Sequence, residues 1–398
     1  MRGMRRNTSI SLLAVGHACV DIYQGAVAAL IPFFVAERDY TYAVASGIVL
    51  AASLLSSVAQ PVFGALTDRW AMPWLLPVST LLGGVGIALS GLSGSYGLTL
   101  IFVAVSGIGV AAYHPESARV ARLAGEGGHS AMAWFSLGGN IGFALAPLMV
   151  SAVIGHGSLR WTPVLVLPAL VGAALCVPVL RMLARPEAGT SRTEAPRGTD
   201  DVASFVKLSL AVVFRSIVFI GLSTFISLHA QQRMQGSATA GTIALFLLFL
   251  GGAVGSVLGG ALANRYDRVR VSRWAYLLSV AAVTGVIHAP GPAMFPFVAL
   301  TSVGLYVPFS LQITLGQDYL PSRVGTAGGV TLGLTVSVGG LVSPLLGHLA
   351  DSVSLETALT PLIAMPALSW LLFRALPEPT APEPRAAVPA PASARQDA

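Results

Sequence analysis

The clearest pattern in this 398-residue chain is a series of long apolar segments separated by short polar ones. About 20 consecutive apolar residues in a helix are needed to cross the hydrocarbon region of a bilayer, where the helix satisfies its own backbone hydrogen bonds. Twelve segments have this character, and we predict a transmembrane helix in each. They cover residues 9–36, 43–66, 73–93, 97–118, 129–153, 161–183, 205–229, 239–262, 271–289, 293–316, 325–350 and 357–375.

One longer polar stretch divides the twelve predicted helices into two groups of six. Residues 184–204 are charged and contain proline, as is typical of a linker. We therefore predict an N-terminal six-helix bundle at 1–183 and a C-terminal six-helix bundle at 205–376. Residues 377–398 are rich in proline and alanine, which predicts a disordered tail.

Short motifs recur at matching places in the two halves. Gly64 to Arg69, at the end of the second predicted helix, resembles Gly260 to Arg265 at the end of the eighth. Residues 136–139 (SLGG) of the fifth helix likewise resemble residues 337–340 (SVGG) of the eleventh. The halves are therefore predicted to be structural repeats, and the many glycines inside the helices are predicted to permit close helix packing.

Composition agrees with a membrane environment. Hydrophobic residues make up 54% of the chain and charged residues 10%, against roughly 45–50% and about 25% in soluble proteins. The net charge of +6 is distributed in short clusters between apolar segments, which argues against nucleic-acid binding. Cys19 and Cys176 lie within apolar segments and are expected to be free thiols. The first apolar segment is too long and too polar for a cleaved signal peptide.

The distribution of the 23 Arg and Lys residues predicts the orientation of the chain. Positive charge concentrates in cytoplasmic loops close to helix ends. With both termini in the cytoplasm, 19 basic residues fall on the cytoplasmic side, Arg38, Arg160 and Arg233 fall on the other side, and Arg215 lies inside a helix. We therefore expect a multi-pass protein of the inner (plasma) membrane with cytoplasmic termini.

Ionisable side chains inside membrane helices are costly and often functional. His17, Asp21 and Gln24 lie on one face of the first predicted helix, with Asp21 near the bilayer centre, and the fourth helix carries His114 and Glu116. We predict that they form a pathway for protons and substrate, because an apolar setting favours a neutral carboxyl group until water reaches it. Alternatively, the two acids form ion pairs that only hold helices together.

Two further polar residues lie deep in predicted helices. Asn140 lies among glycines in the fifth helix and is assigned to the same pathway, as is Arg215, ten residues into the seventh helix. Arg215 either binds an anion in a central cavity or pairs with a membrane carboxylate. The sequence has no HExxH, GxSxG or Cys/His metal motif. We therefore expect no metal ligands, no cofactor and no enzymatic activity.

Two helix ends resemble a known gate motif. Gly64, Asp68 and Arg69 close the second helix, and Asn264 and Arg265 close the eighth. They resemble the signature of the major facilitator superfamily, in which acidic and basic residues form a cytoplasmic latch. The match is partial, because the usual residues after Arg69 are absent and Asn264 replaces an acid.

Other motifs resemble one family in particular, the fosmidomycin-resistance transporters of bacteria. The resemblance is carried by residues 16–24 (GHACVDIYQ), 114–122 (HPESARVAR), 138–142 (GGNIG) and 325–351. It implies an all-α membrane protein with the major facilitator fold, in which twelve helices form two pseudo-symmetric bundles around a central substrate site. It also implies proton-driven export of small toxic compounds, including an anionic phosphonate antibiotic.

The predicted function is thus a proton-coupled secondary active exporter of small molecules that works by alternating access. Its expected partners are the substrate, protons and the lipid bilayer, and it is expected to act as a monomer. A proton-coupled importer of a small organic solute with the same fold is the alternative, because a proton gradient can drive transport in either direction.

Reporter fusions test the predicted topology. A reporter that is active only in the cytoplasm, placed after Ala398 or within residues 184–204, should be active at both positions, because an even number of crossings separates them from the N-terminus. Activity of a periplasmic reporter at either position would contradict the twelve-helix arrangement.

Overall fold

The computed structural model describes residues 2–125, 129–183 and 199–379. Regular structure in these ranges consists of thirteen α-helices and four short 3-10 segments. The α-helices are α1 Arg2–Arg38, α2 Tyr42–Arg69, α3 Leu75–Ser90, α4 Tyr96–Ala124, α5 His129–Ile154, α6 Leu167–Leu183, α7 Val202–Arg233, α8 Ala238–Ala263, α9 Arg268–His288, α10 Met294–Tyr319, α11 Val324–Ser352, α12 Leu355–Leu359 and α13 Ala364–Arg374.

These helices supply the twelve predicted crossings. Eleven of them are long and apolar enough to span a membrane, and α3, with 16 residues, is a shorter apolar helix. A 3-10 segment at Leu159–Val166 joins α6 to form the sixth crossing, and a 3-10 turn at Thr360–Ile363 joins α12 to α13 in the twelfth. α4 continues to Ala124, beyond its predicted end at residue 118, and accommodates Pro115 inside the helix.

Residues at the edges of the predicted linker and tail make specific contacts. α7 begins at Val202 because the Asp201 carboxylate accepts a hydrogen bond from the Ser204 amide at 3.0 Å. Glu378 accepts hydrogen bonds from Arg268 Nε and the Val269 amide, both at 2.8 Å. Ordered contacts therefore extend into both predicted segments, while residues 184–198 and 380–398 lie outside the described ranges.

The crossings pack as two groups of six. In the first group, α1 packs against α5 and α6, while α2 and α3 both pack against α4. In the second group, α10 packs against α8 and α9, and α7 packs against α11 and α13. The two groups meet mainly where α2 contacts α11 and where α5 contacts α8. A central space therefore lies between the groups.

Matching glycines show the internal repeat in three dimensions. A Cβ atom at Gly138 of α5 would overlap the Ala14 carbonyl oxygen of α1. In the second half, a Cβ atom at Gly339 of α11 would overlap the Ser216 carbonyl oxygen of α7. The fifth crossing of each half thus meets the first crossing of the same half through a glycine, which confirms the packing role predicted for these residues.

The two halves are joined at one face, which we call the outer face after the predicted topology. There, the Asp351 carboxylate at the end of α11 accepts hydrogen bonds from the amides of Tyr42 and Ala43, which begin α2, at 2.8 and 2.9 Å. Gln232 of α7 donates a hydrogen bond to the Tyr42 hydroxyl at 2.9 Å. A carboxylate from one half therefore caps a helix of the other half.

At the opposite, inner face the halves diverge. A Cβ atom at Gly347 of α11 would meet the backbone of Tyr42, and one at Gly340 would meet the Ser53 side chain of α2. Gly333 lies on the same side of α11 two turns closer to the inner face, and a Cβ atom there would meet nothing within 4 Å. The central space is therefore closed at the outer face and opens toward the inner face.

The predicted gate residues lie at the inner ends of α2 and α8. The Gly64 position has open space around it. Arg69, Asn264 and Arg265 are exposed, and none of these three side chains forms a hydrogen bond or ion pair with the opposite half in the described part of the chain. The Asp68 side chain lies outside the described residues. The described gate side chains therefore form no latch between the halves in this structure, consistent with an open inner face.

Asp351→Asn should shift the protein toward conformations that are open at the outer face. The substitution removes the charge that accepts two backbone hydrogen bonds, and a loss of about 1–2 kcal/mol would change the closed-to-open ratio roughly fivefold to thirtyfold. The distance between spin labels at Gly94 and Val353 can be measured by pulsed electron paramagnetic resonance in a protein with Cys19 and Cys176 replaced by alanine. The variant should show a larger population of long label-to-label distances.

Asp267→Asn is the matched control for this experiment. Asp267 precedes α9 at the inner face, and its side chain makes no capping hydrogen bond, so the variant loses the same charge away from the outer contact. An unchanged distance distribution in Asp351→Asn, or an equal shift in the control, would contradict the role assigned to Asp351.

Candidate functional site

A cavity of about 310 Å³ lies between the two halves. Four helices of each half line it, and its volume is in the range of small-molecule sites. Five of the seven residues predicted for the pathway contribute to its wall, namely His17, Asp21, Gln24, His114 and Asn140. The remaining two, Glu116 and Arg215, do not line it.

Asp21 lies between two imidazole rings in this wall. His17 Nε2, from one turn earlier in α1, is 3.2 Å from Asp21 Oδ2. His114 Nε2, from α4, is 3.1 Å from Asp21 Oδ1. Asp21 is 9% exposed and His17 is 6% exposed. Each oxygen of a nearly buried carboxyl group therefore faces one imidazole nitrogen.

Backbone carbonyl groups orient both imidazole rings. His17 Nδ1 is 2.9 Å from the Phe135 carbonyl oxygen, and His114 Nδ1 is 2.7 Å from the Val110 carbonyl oxygen. Because a carbonyl oxygen only accepts hydrogen bonds, each Nδ1 is assigned a proton and each Nε2 is directed at Asp21. Without a further proton, each Nε2 contact would set a nitrogen lone pair against a carboxylate oxygen. The cluster is therefore suited to hold exchangeable protons.

The same three side chains are the one group of His, Cys, Asp and Glu in the described ranges that could hold a metal ion. Their ligand atoms all lie within 4.8 Å of one another, and imidazole with carboxylate suits a transition metal. The sequence predicts no metal ligands because these residues are far apart along the chain. Protons between the facing nitrogen and oxygen atoms also account for the observed distances.

Gly139 of α5 provides the space that this cluster occupies. A Cβ atom at Gly139 would lie 2.5 Å from Asp21 Oδ2 and 2.6 Å from His17 Cε1. The Phe135 ring, one turn earlier in α5, stacks on the His17 ring at a centroid distance of 4.2 Å. The motif of residues 138–142 thus brings α5 against α1 and leaves room for the Asp21 side chain.

Glu116 has a different environment from the one predicted. It is fully buried, and Arg119 donates to it from Nε at 2.9 Å and from Nη2 at 2.5 Å. The two residues are three apart on α4, so this bidentate ion pair is local. Glu116 is therefore in an ion pair, as the alternative interpretation predicted, but the pair lies within one helix and does not join two helices.

Arg215 also differs from both interpretations of the sequence. It is 1% exposed, and no carboxylate among the described side chains pairs with it. Its Nη2 donates to Thr335 Oγ1 at 3.2 Å, and its guanidinium carbon lies 5.7 Å and 5.0 Å from the ring centroids of Tyr306 and Phe309. Those three residues line the cavity, so the guanidinium lies one side chain behind the wall. Its Nε has no hydrogen-bond partner in the described structure.

Sequence reasoning missed the aromatic side chains of the cavity. Besides Tyr23 of α1, five phenyl and phenol rings line it, namely Phe143, Phe219, Phe249, Tyr306 and Phe309. Aromatic residues are common on any apolar helix face, so their spacing alone carries no signal. The repeat offers one indirect signal, because Phe219 follows Ser216 by three residues just as His17 follows Ala14.

Two repeated bundles around a cavity with a buried carboxyl group, closed at one face and open at the other, define a membrane transport protein. A family model described as Major Facilitator Superfamily matches residues 13–344, and the chain belongs to that superfamily. This confirms the predicted all-α membrane fold of two six-helix bundles.

Individual relatives agree with this assignment. The fosmidomycin resistance protein of Escherichia coli (strain K12) is 29% identical over 378 residues, which cover 89% of this chain and 91% of the relative. The enterobactin exporter EntS of Escherichia coli O1:K1 / APEC is 33% identical over 191 residues, or 43% of each chain. The resemblance to fosmidomycin-resistance proteins is therefore confirmed.

A solved structure has a similar fold. The structure of a bacterial homologue of the human lysosomal transporter Spinster, in an inward-facing and unoccupied conformation, has a TM-score of 0.77 at 15% identity, and the match covers 96% of this chain and 99% of that chain.

Gly139→Ala should lower the thermal unfolding temperature of the purified protein, because the added methyl group would collide with Asp21 and His17. Overpacking of this kind costs about 1–3 kcal/mol. The same substitution made together with Asp21→Ala should cost less, since the second change removes one of the colliding groups. Gly333→Ala, at a site with open space, is the matched control. Equal losses with and without Asp21→Ala would contradict this packing.

Proposed function

We propose that this superfamily member is a proton-coupled exporter of small anionic molecules that works by alternating access between its two halves. Its superfamily supports a membrane transporter of small molecules that acts as a single chain. Proton coupling, outward transport and an anionic substrate are the added content of the proposal. The observation that carries it is the cluster of Asp21 with His17 and His114 inside the cavity.

Proton exchange is assigned to this cluster because of its position. Desolvation favours the neutral form of a carboxyl group, and water entering an open cavity favours the charged form. The surroundings of Asp21 include the two histidines, the Tyr113 ring at 5.9 Å from the His17 ring, and Tyr306 of α10, which lines the same cavity. As the cavity faces each side in turn, the cluster would load a proton at one face and release it at the other.

Coupling requires that substrate and proton compete for the cluster. Each contact between an imidazole Nε2 and Asp21 needs a hydrogen-bond donor, and neither His17 Nε2 nor Asp21 Oδ1 has a well-aligned partner within the described structure. A donor group of the substrate could take the place of a proton there. A substrate bound in this way would favour release of the proton, which gives exchange in opposite directions.

Arg215 is assigned the attraction of an anionic group on the substrate. A charge on an isolated membrane helix costs at least about 2.5–3.5 kcal/mol, so an arginine with no acidic partner among the described side chains calls for a functional explanation. Its charge acts through one layer of side chains in surroundings of low dielectric constant, where Coulomb interactions are strong. Asp21 on one wall and Arg215 behind the other would orient a substrate across the cavity.

Export is favoured over import by two relatives. One is named for resistance to fosmidomycin, which export of the compound would provide, and the other is named as an enterobactin exporter. Under the proposal, the protein lies in the inner membrane with both termini in the cytoplasm, so its open face admits cytoplasmic substrate. The two bundles at 1–183 and 205–376 are the moving units, and the residues at the ends of α2 and α8 form the cytoplasmic gate.

Asp21→Asn should uncouple transport from protons. In vesicles reconstituted with the wild-type protein, fosmidomycin added on the inner-face side should drive proton movement in the opposite direction. The variant cannot release a proton from this position, so it should lose at least about tenfold of this flux. Exchange of labelled for unlabelled fosmidomycin without a gradient should persist, because it does not require a net proton step.

Glu116→Gln is the matched control, since it neutralises a buried helix carboxylate that does not line the cavity. It should keep proton flux and exchange in their normal ratio. Normal coupling in Asp21→Asn would refute the assignment of the proton site. A wild-type protein that moves fosmidomycin without protons would refute the coupling itself.

A further inference from the structure

The cavity has a second wall whose chemistry the proposed proton and anion sites do not use. We call it the aromatic wall, and it consists of Phe143, Phe219, Phe249, Tyr306 and Phe309. All five side chains line the cavity and come from α5, α7, α8 and α10. Only the first of these helices belongs to the N-terminal half.

The rings of the aromatic wall form one continuous surface. The Phe143 and Phe249 centroids lie 4.2 Å apart, those of Phe219 and Tyr306 lie 5.0 Å apart, and those of Tyr306 and Phe309 lie 5.6 Å apart. The centroids of Phe143 and Phe219 are 6.4 Å apart, and this contact connects the first pair of rings to the other three. These distances are typical of aromatic pairs in contact.

Part of this surface remains open to the cavity. Phe219 and Phe249 are 5% and 3% exposed and support the wall from behind. Phe143, Tyr306 and Phe309 are only partly buried. These three side chains line the cavity and keep part of their surface exposed, so they are available to a ligand.

The wall arises from divergence between the two repeats. Gly138 packs on Ala14 in the first half, and Gly339 packs on Ser216 in the second half. Ala14 and Ser216 therefore occupy equivalent positions, and so do the residues at equal distances after them. Three residues onward lie His17 in the first half and Phe219 in the second, and Asp21 corresponds in the same way to Ser223. The α1 side of the cavity therefore carries an imidazole and a carboxyl group where the α7 side carries a phenyl ring and a hydroxyl group.

The aromatic wall also covers the guanidinium group of Arg215. The Arg215 guanidinium is 5.0 Å from the Phe309 centroid and 5.7 Å from the Tyr306 centroid. A planar ring stacked on these two residues would place its own substituent beside the edge of the wall, where Thr335 separates the cavity from Arg215. An acidic substituent would gain most from that position.

We propose that this cavity prefers aromatic acids among anionic substrates, with a planar ring stacked on the aromatic wall and an anionic substituent held near Arg215. This inference rests on the proposed function, since it takes from it the attraction of anions by Arg215. It adds a preference for a ring, so that an aliphatic phosphonate such as fosmidomycin should be transported but bound more weakly than an aromatic acid. Aromatic contacts and burial of the ring should together raise affinity at least about tenfold.

A matched pair of probes tests the inference. Phenylphosphonate and methylphosphonate carry the same anionic group and differ in the ring. Their dissociation constants are measured by calorimetry on the full-length protein in lipid nanodiscs. Phenylphosphonate should bind at least about tenfold more tightly than methylphosphonate. Equal affinities, or no binding of either probe, would overturn the inference.

Variants locate the preference on the wall. Phe309→Leu and Phe143→Leu keep an apolar side chain but remove a ring, and each should bring the affinity ratio of the two probes closer to one. Phe373→Leu removes a buried ring that packs on Tyr276 outside the cavity and should leave the ratio unchanged. An unchanged affinity ratio in both wall variants would overturn the assignment of the ring to this surface. If a variant failed to fold, the comparison of the two probes on the wild-type protein would still test the inference.

A third probe and one further variant separate this inference from the proposed function. Arg215→Gln should weaken both phosphonates and leave their ratio intact. If benzylamine, a cation with a ring, bound as tightly as phenylphosphonate, the aromatic wall would stand and the anion preference of the proposed function would fail. If methylphosphonate bound as tightly as phenylphosphonate and Arg215→Gln weakened both, the anion site would stand and the ring preference would fail.

Discussion

A carboxyl group deep in a membrane protein must be compensated by charge, by hydrogen bonds or by a proton. Asp21 meets this requirement through two imidazoles, one from its own helix and one from α4. The close approach of α5 makes the arrangement possible, because a side chain at Gly139 would occupy the place of the carboxyl group. Three helices of the N-terminal half are thus arranged around one carboxyl group, and the cavity wall follows from that packing.

The second half repeats the helix packing of the first half but places different side chains at the cavity. Its glycine contact between α11 and α7 repeats that between α5 and α1, yet aromatic rings and a buried arginine replace the cluster of acid and histidines. A second carboxylate, Asp351, joins the halves at the outer face by capping α2. Under the proposed alternating access, one carboxylate would respond to water entering the cavity, and the other would respond to the separation of the halves.

The fold could be predicted from sequence because its main signals are long-range and redundant. Apolar length, the bias of Arg and Lys, and the repeated motifs all indicate the same twelve crossings. The placement of Asp21, His17 and His114 in one wall was also predictable in part, since helical spacing puts the first two on one face. Their distances to each other depend on the packing of α4, which no local pattern specifies.

Side-chain direction explains most of what the sequence could not predict. Glu116 and His114 are two residues apart on α4 and point to different sides, so one joins the cavity and the other pairs with Arg119. The aromatic wall and the cover over Arg215 were missed because lipid and cavity both accept apolar side chains. Periodicity therefore cannot distinguish a lipid-facing phenylalanine from one that lines a cavity. Asp351 was counted only as part of a motif, since its partners in α2 are distant in sequence.

Transport driven by a proton gradient in wild-type membranes tests the central claim most directly. Inside-out vesicles that contain the protein would be acidified internally by respiration, and the uptake of labelled fosmidomycin would be followed. A proton-coupled exporter should accumulate the compound in the lumen above its external concentration, and collapse of the gradient by a protonophore should release it. Uptake that stops at equal concentrations with the gradient intact, or loss of preloaded compound when the lumen is acidified, would contradict the account.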